Sequence, residues 1–320
     1  MIILTGGAGF IGSCFLWKLN SEGIKDILVV DHFGSGEKWK NLSCKNYYNY
    51  MEKNDFLNAV IKKQILKPDI VIHLGACSST TFSDASYYIK NNYEYSKILA
   101  LWAFECGAYF MYASSAATYG DGKFGFGDDL ETTKKLSPLN IYGFTKHMFD
   151  LWLINNNYID KVIGLKFFNV FGPNEYHKGN MRSVICKSFY DILKNGSIKL
   201  FKSYNLNYFN GEQCRDFIYI KDVVNAMYFF FKNPLKRGIF NLGTGKPKTW
   251  NDIAKSIFMI LGKKEKIKYI DMPDYVKIKY QYFTKANILN LRDNGYNEQF
   301  MELRDSIEDY YFYLRNGFFL

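Results

Sequence analysis

The chain opens with a β-branched, wholly apolar run, IILT at 2–5, which ends in a glycine turn and passes into FIGSCFLWKLN, where apolar residues recur at helical spacing. DILVV at 26–30 repeats the strand signal, so the N-terminal segment reads as a β-α-β unit. The alternation predicts a helix near 55–65, a third strand DIVIH at 69–73, a long helix near 84–106, a fourth strand YFMYAS at 109–114, a helix carrying NIYGFTK, and a strand in KVIGLKFF at 161–168. Strands and helices in this order imply an α/β fold built on a doubly wound parallel sheet of Rossmann type. After FGP at 171–173 the rhythm breaks into a helix near 180–194, short strands at IKLF (198–201) and DFIYI (216–220), a helix near 221–232, and GIFNLGTG. The expected organisation is a dinucleotide-binding domain of residues 1–170 plus about 213–245, interleaved with a smaller α/β substrate domain of about 171–212 and 246–320.

Bulk composition narrows this picture. A hydrophobic content of 48% over 320 residues fills the core of one large domain or two ordinary ones. No window reaches the roughly 18 apolar residues of a membrane helix, and no lysine precedes Lys18, so neither a membrane anchor nor a secretory leader is expected and the cytoplasm is the expected compartment. The six cysteines show no C-x-x-C pair or close Cys/His cluster, which argues against a metal site or a disulfide framework; buried thiols are expected. The net charge of +10 is spread without a basic block, favouring a small anionic ligand over nucleic acid. The aromatic content of 18% reads as core packing.

TGGAGFIG places Gly6, Gly7, Gly9 and Gly12 between the first strand and the first helix. Such glycines permit a tight turn, close approach of the backbone to a pyrophosphate, and close packing of helix on strand, with the helix N-terminus facing the anion. Asp31 ends the second strand about 20 residues on, where a carboxylate bonds a dinucleotide ribose. By itself Asp31 favours NAD; Lys38 and Lys53 are either partners of a 2′-phosphate, as NADP requires, or solvated surface lysines. The loop HLGACSS at 73–79 follows the third strand, and Asn91 or Asn92 on the next helix is placed to bond backbone near the site or to face solvent.

At the reacting end, Ser114 and Ser115 tip the fourth strand, and Tyr142 and Lys146 follow four residues apart on the next helix. Spacing does not single this pair out, because Tyr93/Lys97, Tyr119/Lys123, Tyr190/Lys194, Tyr228/Lys232 and Tyr275/Lys279 share it. Position does: only this pair follows a serine-tipped strand at the carboxyl edge of the sheet. A hydroxyl, a phenol and an ammonium there converge on one substrate oxygen, the ammonium helping to lower a phenol pKa that is ordinarily near 10.

TGGAGFIGS, HLGACSS, YASSAATYG, NIYGFTK, FFNVFGPNE and RDFIYIKDV together resemble the extended short-chain dehydrogenase/reductase family of nucleotide-sugar enzymes over nearly the whole chain. Within it, GACSSTT, FNVFGPNEYHKG, IFNLGTG and YQYFT are similar to the ADP-glycero-manno-heptose 6-epimerases. That resemblance implies an NADP-dependent isomerase that oxidises C6 of the sugar to a ketone and returns the hydride to its other face, converting the D-glycero to the L-glycero epimer for lipopolysaccharide core assembly. It also implies a homo-oligomer, specifically a homopentamer. It gives Tyr142 a second acid/base partner, Lys178, in the H-K-G segment, with Ser115 and Lys146 completing the catalytic set. Further cofactor contacts are implied at Phe10, Ile11, Asp31, His32, Lys38, Lys53, Leu74, Gly75, Ala76, Cys77, Ser78, Asn91, Lys146, Val170 and Lys178. Substrate contacts are implied at Asn169, Asn180, Lys187, Phe201, Lys202, Ser203, Tyr204, Arg215 and Tyr280. Chemistry alone also favours Arg215 as a bidentate diphosphate ligand, the alternative being a structural ion pair with Asp216 or another carboxylate.

The chain departs from the family at His32 (usually Asn), Leu74 (Glu), Asn180 (Ser) and Lys187 (His), and KSYNLNYFNGEQC before Arg215 is longer than usual. The changes on the sugar side leave room for another substrate. The competing readings are a related nucleotide-sugar 4-epimerase or dehydratase, a GDP-heptose-type epimerase, and, outside enzymes, a dinucleotide-binding scaffold or sensor. A dehydratase is disfavoured by A-A-T after Ser115, where an acidic partner is expected.

Overall fold

The wholly apolar strands of the sequence are buried on both faces because alternate residues of each enter different cores. The computed structural model describes residues 1–78, 84–277 and 280–320. Ser79 of the HLGACSS loop, the rest of GACSSTT and Lys279 lie outside the described residues. Strand β1 (Ile2–Thr5) leads through α1 (Phe10–Ser21) to β2 (Ile27–Asp31), β3 (Asn49–Glu52), α2 (Lys53–Ile61) and β4 (Ile70–His73). Then come α3 (Ala85–Tyr88), a π-helical turn (Ile89–Glu94), α4 (Tyr95–Cys106), β5 (Tyr109–Ser115), α5 (Leu130–Lys135), α6 (Ile141–Asn155), β6 (Val162–Phe167) and β7 (Asn169–Phe171). The remainder is α7 (Val184–Asn195), β8 (Ile198–Phe201), β9 (Cys214–Arg215), β10 (Phe217–Tyr219), α8 (Ile220–Lys232), β11 (Gly238–Leu242), β12 (Lys248–Thr249) and α9 (Trp250–Ile260). It closes with β13 (Ile267–Ile270), α10 (Asp274–Lys277), α11 (Leu289–Asp293) and α12 (Leu303–Asn316).

Seven parallel strands form the main sheet in the order β11-β6-β5-β4-β1-β2-β3. Ile2 and Leu4 of β1 join Leu16 and Leu19 of α1 and Val223 and Met227 of α8 on one face. Ile3 joins Phe56 of α2, Leu99 of α4 and Phe149 of α6 on the other. This is the period-two alternation of a strand covered on both sides, and each fully buried aliphatic side chain contributes ~1.5–3 kcal/mol.

Three features differ from the sequence expectation. Strand β3 was missed, because NYME carries no apolar run; it lies at the sheet edge and, among the described residues, pairs only with β2, from Leu28↔Asn49 to Asp31↔Glu52. DIVIH and YFMYAS are therefore the fourth and fifth strands in chain order. The helix expected near 84–106 is interrupted by the π-helical turn containing Asn91 and Asn92, a distortion often found at functional sites. Of the six cysteines only Cys14 and Cys186 are buried; Cys44 is exposed, in a turn with φ of 62°.

Beyond the main sheet, β7 and β10 pair in parallel, as do β8 and β13, and β9 and β12 are antiparallel. Among the described residues no helix is long and apolar enough to cross a membrane.

Candidate active site

The carboxyl ends of β1, β4, β5 and β6 open onto one cleft of about 520 Å³, with an adjoining hollow of about 190 Å³ beyond β2. Gly6, Gly9 and Gly12 line the cleft, and steric limits explain them. Gly6 has φ of +70° and passes so close to the β4 loop that an added Cβ would meet Gly75 N at 2.5 Å. At Gly12 a Cβ would lie 2.1 Å from the Gly6 carbonyl oxygen, so α1 could not sit against the turn. The N-terminus of α1, capped by Gly9 without a side-chain bond, lines the cleft, where its first-turn N–H groups suit an anion.

Asp31 closes this end. Its carboxylate accepts from Ala8 N at 2.8 Å and His32 N at 2.7 Å and pairs with Lys38. In the adjoining hollow Lys53 donates to Asn91 Oδ1 at 2.8 Å, while the His32 ring meets Glu52 at 2.9 Å. Asn91 thus holds a lysine of the hollow, and Asn92 braces the loop backbone: its Oδ1 accepts from Cys77 N at 2.7 Å, and its Nδ2 donates to Cys77 O at 3.0 Å and Thr145 Oγ1 at 3.1 Å. Every cofactor position implied by the resemblance lines the cleft or the hollow, Phe10, Ile11, Leu74, Ser78 and Val170 in the former and Cys77 in the latter. The glycine cradle, the helix N-terminus and the Asp31 carboxylate fit a dinucleotide.

The groups expected to react stand on α6 and β5. Asn140 caps α6 by accepting from Gly143 N at 2.8 Å, and a Cβ on Gly143 would strike Ala117 O at 2.5 Å, so the helix start packs tightly against the loop after Ser115. Tyr142 and Lys146 therefore enter the cleft beside Ser115. Burial pushes the Tyr142 phenol up, and a hydrogen bond with the Ser115 side chain opposes this. Lys146 is buried, donates to Ala113 O at 2.7 Å, and is pulled by desolvation to about 8 while Asp150 works the other way. His73, behind this floor, bonds Thr5 Oγ1 at 2.7 Å and Ser96 Oγ at 2.8 Å and is held near 3 by burial. None of the described residues of the other five Tyr-x-x-x-Lys pairs lines the cleft; Tyr119, for one, is buried against Asn241 and Gly127.

Lys178 enters from a different element, the 3-10 turn Tyr176–Met181 after β7. Its ammonium lies 5.3 Å from the Phe10 ring centroid, and desolvation lowers its pKa against the opposing charge of Glu175. Glu175 is fully buried and ties the loop: it accepts from Gly172 N at 3.3 Å, Ser183 Oγ at 2.7 Å and Tyr310 OH at 3.0 Å.

The implied substrate residues divide. Asn169 lines the cleft. Asn180 and Lys187 are exposed nearby, with Lys187 Nζ 3.4 Å from Asn180 O. Phe201 ends β8 and Lys202, Ser203 and Tyr204 follow it, all outside the cleft lining; Lys202 and Tyr204 meet Asp271 at 3.1 and 2.7 Å. The Arg215 guanidinium is buried between Trp250 and Tyr280, at 5.7 and 5.3 Å from their ring centroids, and donates to Cys214 O. It does not pair with Asp216, whose carboxylate is occupied by Thr244, Gly245 and Ala286.

The sequence profile of the NAD dependent epimerase/dehydratase family matches residues 2–243. The chain belongs to this family. Among relatives of known name, it is 49% identical over 311 residues to ADP-L-glycero-D-manno-heptose-6-epimerase of Nitratidesulfovibrio vulgaris, covering 97% of this chain and 96% of that one. It is 45% identical over 320 residues to the protein of the same name from Fusobacterium nucleatum, with the same coverage. The solved structure of ADP-L-glycero-D-manno-heptose-6-epimerase from Helicobacter pylori superposes with a TM-score of 0.82 at 28% identity, over 98% of this chain and 96% of that one. UDP-N-acetylglucosamine 4-epimerase from Methanobrevibacter ruminantium also reaches 0.82, at 25% identity, over 99% and 98%. The resemblance read from the motifs is thus the one these relatives carry by name.

For a member of the epimerase/dehydratase family, several cleft residues escaped sequence reading. Arg182 and Trp250 line the cleft with no motif to mark them, and His177 does so from within the H-K-G segment, where only the lysine was singled out. Asp150 and Lys166 form a buried pair beneath it; the spacing of Asp150 one turn after Lys146 was the available signal.

Proposed function

We propose that this protein inverts C6 of ADP-D-glycero-D-manno-heptose to give the L-glycero epimer, with NADP as its cofactor. The observation that carries the reading is that Tyr142 and Lys178, from different elements, line one cleft and that Lys178 is desolvated there. Inversion removes the hydride from one face of C6 and returns it to the other, so the C6 oxygen meets the protein in two orientations, and two separate acid/base groups can exchange its proton. Tyr142 takes the proton of the C6 hydroxyl in one epimer, helped by Ser115 and by the charge of Lys146 one turn on. Lys178 serves the oxygen when the other face is presented; a lysine whose charged form is desolvated exchanges its proton nearer neutral pH than a solvated one. A bound nicotinamide dinucleotide supplies the hydride acceptor and donor, and the residues that would hold it are the glycine turn, Asp31, Lys146 and the loop from Leu74 to Ser78.

NADP rather than NAD is favoured by Lys38, which offsets the Asp31 carboxylate, and by Lys53 in the same hollow. Mass spectrometry of the dinucleotide released on denaturation decides between the two. A homo-oligomer, a cytoplasmic setting, a place in lipopolysaccharide core synthesis, and the division into interleaved cofactor and substrate domains belong to the same reading; light scattering tests the first. The activity itself is tested by incubating the protein with ADP-D-glycero-D-manno-heptose and following C6 stereochemistry by NMR, beside GDP- and UDP-sugars. Cofactor-loaded protein that leaves the ADP-heptose unchanged would sink the proposal.

A further inference from the structure

Beneath the reacting groups lies an ion pair with no direct part in the chemistry above. Lys166 of β6 and Asp150 of α6 meet at 3.0 Å with both side chains wholly inaccessible. The Asp150 carboxylate also accepts from Tyr112 OH and Ser114 Oγ, each at 2.8 Å, and Lys166 donates to Thr118 Oγ1 at 3.0 Å. A buried pair is weak evidence of stabilisation, since well-packed apolar residues often hold a core as well. Its position suggests another use. Asp150 stands one helical turn beyond Lys146 and shares its face. Its partner Ser114 lies between Ala113, whose carbonyl Lys146 holds, and Ser115, which bonds Tyr142. From the other side Thr118 donates to Ser115 O at 2.8 Å, so Lys166 reaches the same serine.

We propose that Asp150, held in place by Lys166, is a positioning residue that keeps the Lys146 ammonium charged in its dry site and fixes the Ser115 end of β5 toward Tyr142. This rests on the reading of Tyr142 and Lys146 as reacting groups. Beside Lys146 are Tyr142, His147 and Asp150 on its own helix and His73 on β4, and Asp150 is in turn met by Tyr112 on β5 and Lys166 on β6. His73 is neutral at neutral pH, held low by burial and by Lys146 itself. Burial also lowers His147. Asp150 thus supplies the negative charge that opposes the desolvation of Lys146.

The test is the double variant Asp150→Asn/Lys166→Met, which removes both charges and strands neither. The titration midpoint of Lys146 is read by carbon-13 NMR of labelled lysine, assigned by the signal lost in Lys146→Arg. The midpoint is expected to fall by about half a pH unit, less than the ~1–3 units that losing an adjacent opposite charge alone produces, because the positive Lys166 leaves with Asp150. The alkaline limb of the kcat/KM profile should move down with it. In Lys166→Met alone Asp150 is unshared, and the midpoint should rise. A midpoint that stays put in either variant overturns the proposal, even if turnover falls. If the heptose reading is wrong, wild-type protein shows no turnover on that substrate while the NMR midpoints still report on Asp150.

Discussion

Replacing Lys178 with methionine keeps the aliphatic stem against Phe10 and removes the ammonium, so it isolates the proton-transfer role proposed for this residue. In the structure that ammonium lies 5.3 Å from the Phe10 ring centroid on a half-buried side chain, with the buried Glu175 opposing the downward shift of its pKa. A positioned acid/base group contributes about 10²–10⁴ in rate, or ~2.7–5.4 kcal/mol of barrier at 1.36 kcal/mol per tenfold. Losing the cation–π contact adds ~2 kcal/mol, and the methionine sulfur recovers part of it against the same ring. The loss should therefore fall chiefly on kcat, with dinucleotide affinity changed by less than about thirtyfold. The assay is the NMR time course of C6 epimerisation under saturating substrate, with cofactor affinity by calorimetry alongside. Conversion within about tenfold of wild type would refute the reasoning, because proton transfer at the second face would then not run through Lys178.

Tyr142→Phe should lower turnover at least about a hundredfold while cofactor binding survives; equal activity would remove Tyr142 from the mechanism. Gly12→Ala puts a Cβ 2.1 Å from Gly6 O, so α1 must move; a loss of ~1–3 kcal/mol in stability and weaker dinucleotide retention are expected, and an unchanged Tm with unchanged retention would contradict it. His73, lowered from 6.5 to about 3 by burial, folds in its neutral form. The unfolded chain binds the proton first, so this stability is whole above about pH 6.5 and declines as pH falls toward 3, by up to about 1.4 kcal/mol per pH unit. Denaturant titrations should show His73→Asn flattening that acid decline; parallel curves for variant and wild type would count against the assignment.

Most of the main sheet was legible because strands covered on both faces read as unbroken apolar runs, as IILT, DILVV and DIVIH do. NYME escaped because an edge strand held by backbone pairing with β2 needs no apolar face. The cofactor cradle was legible for a local reason: the glycines of TGGAGFIG answer steric demands within a few residues of one another. Arg182 and Trp250 lie beyond that reach, brought to the cleft from distant segments with no local pattern to announce them. Asn91 and Asn92 were ambiguous for a related reason. Which of two adjacent amides turns to the loop and which to Lys53 depends on the π-helical turn, and the local pattern does not show that turn.

The sequence by itself determined the doubly wound order of elements, the glycine turn and the Tyr142/Lys146 pair, because each follows from periodicity, backbone sterics or position along the chain. Tertiary structure alone decided that this pair and none of its described duplicates reaches the cleft, that Lys178 and Asn169 join it there, and that Asp150 and Lys166 meet beneath it without solvent. Those facts turn on burial and on contacts between residues far apart in the chain. A lysine has an ordinary pKa until the fold removes its water and chooses the charge beside it.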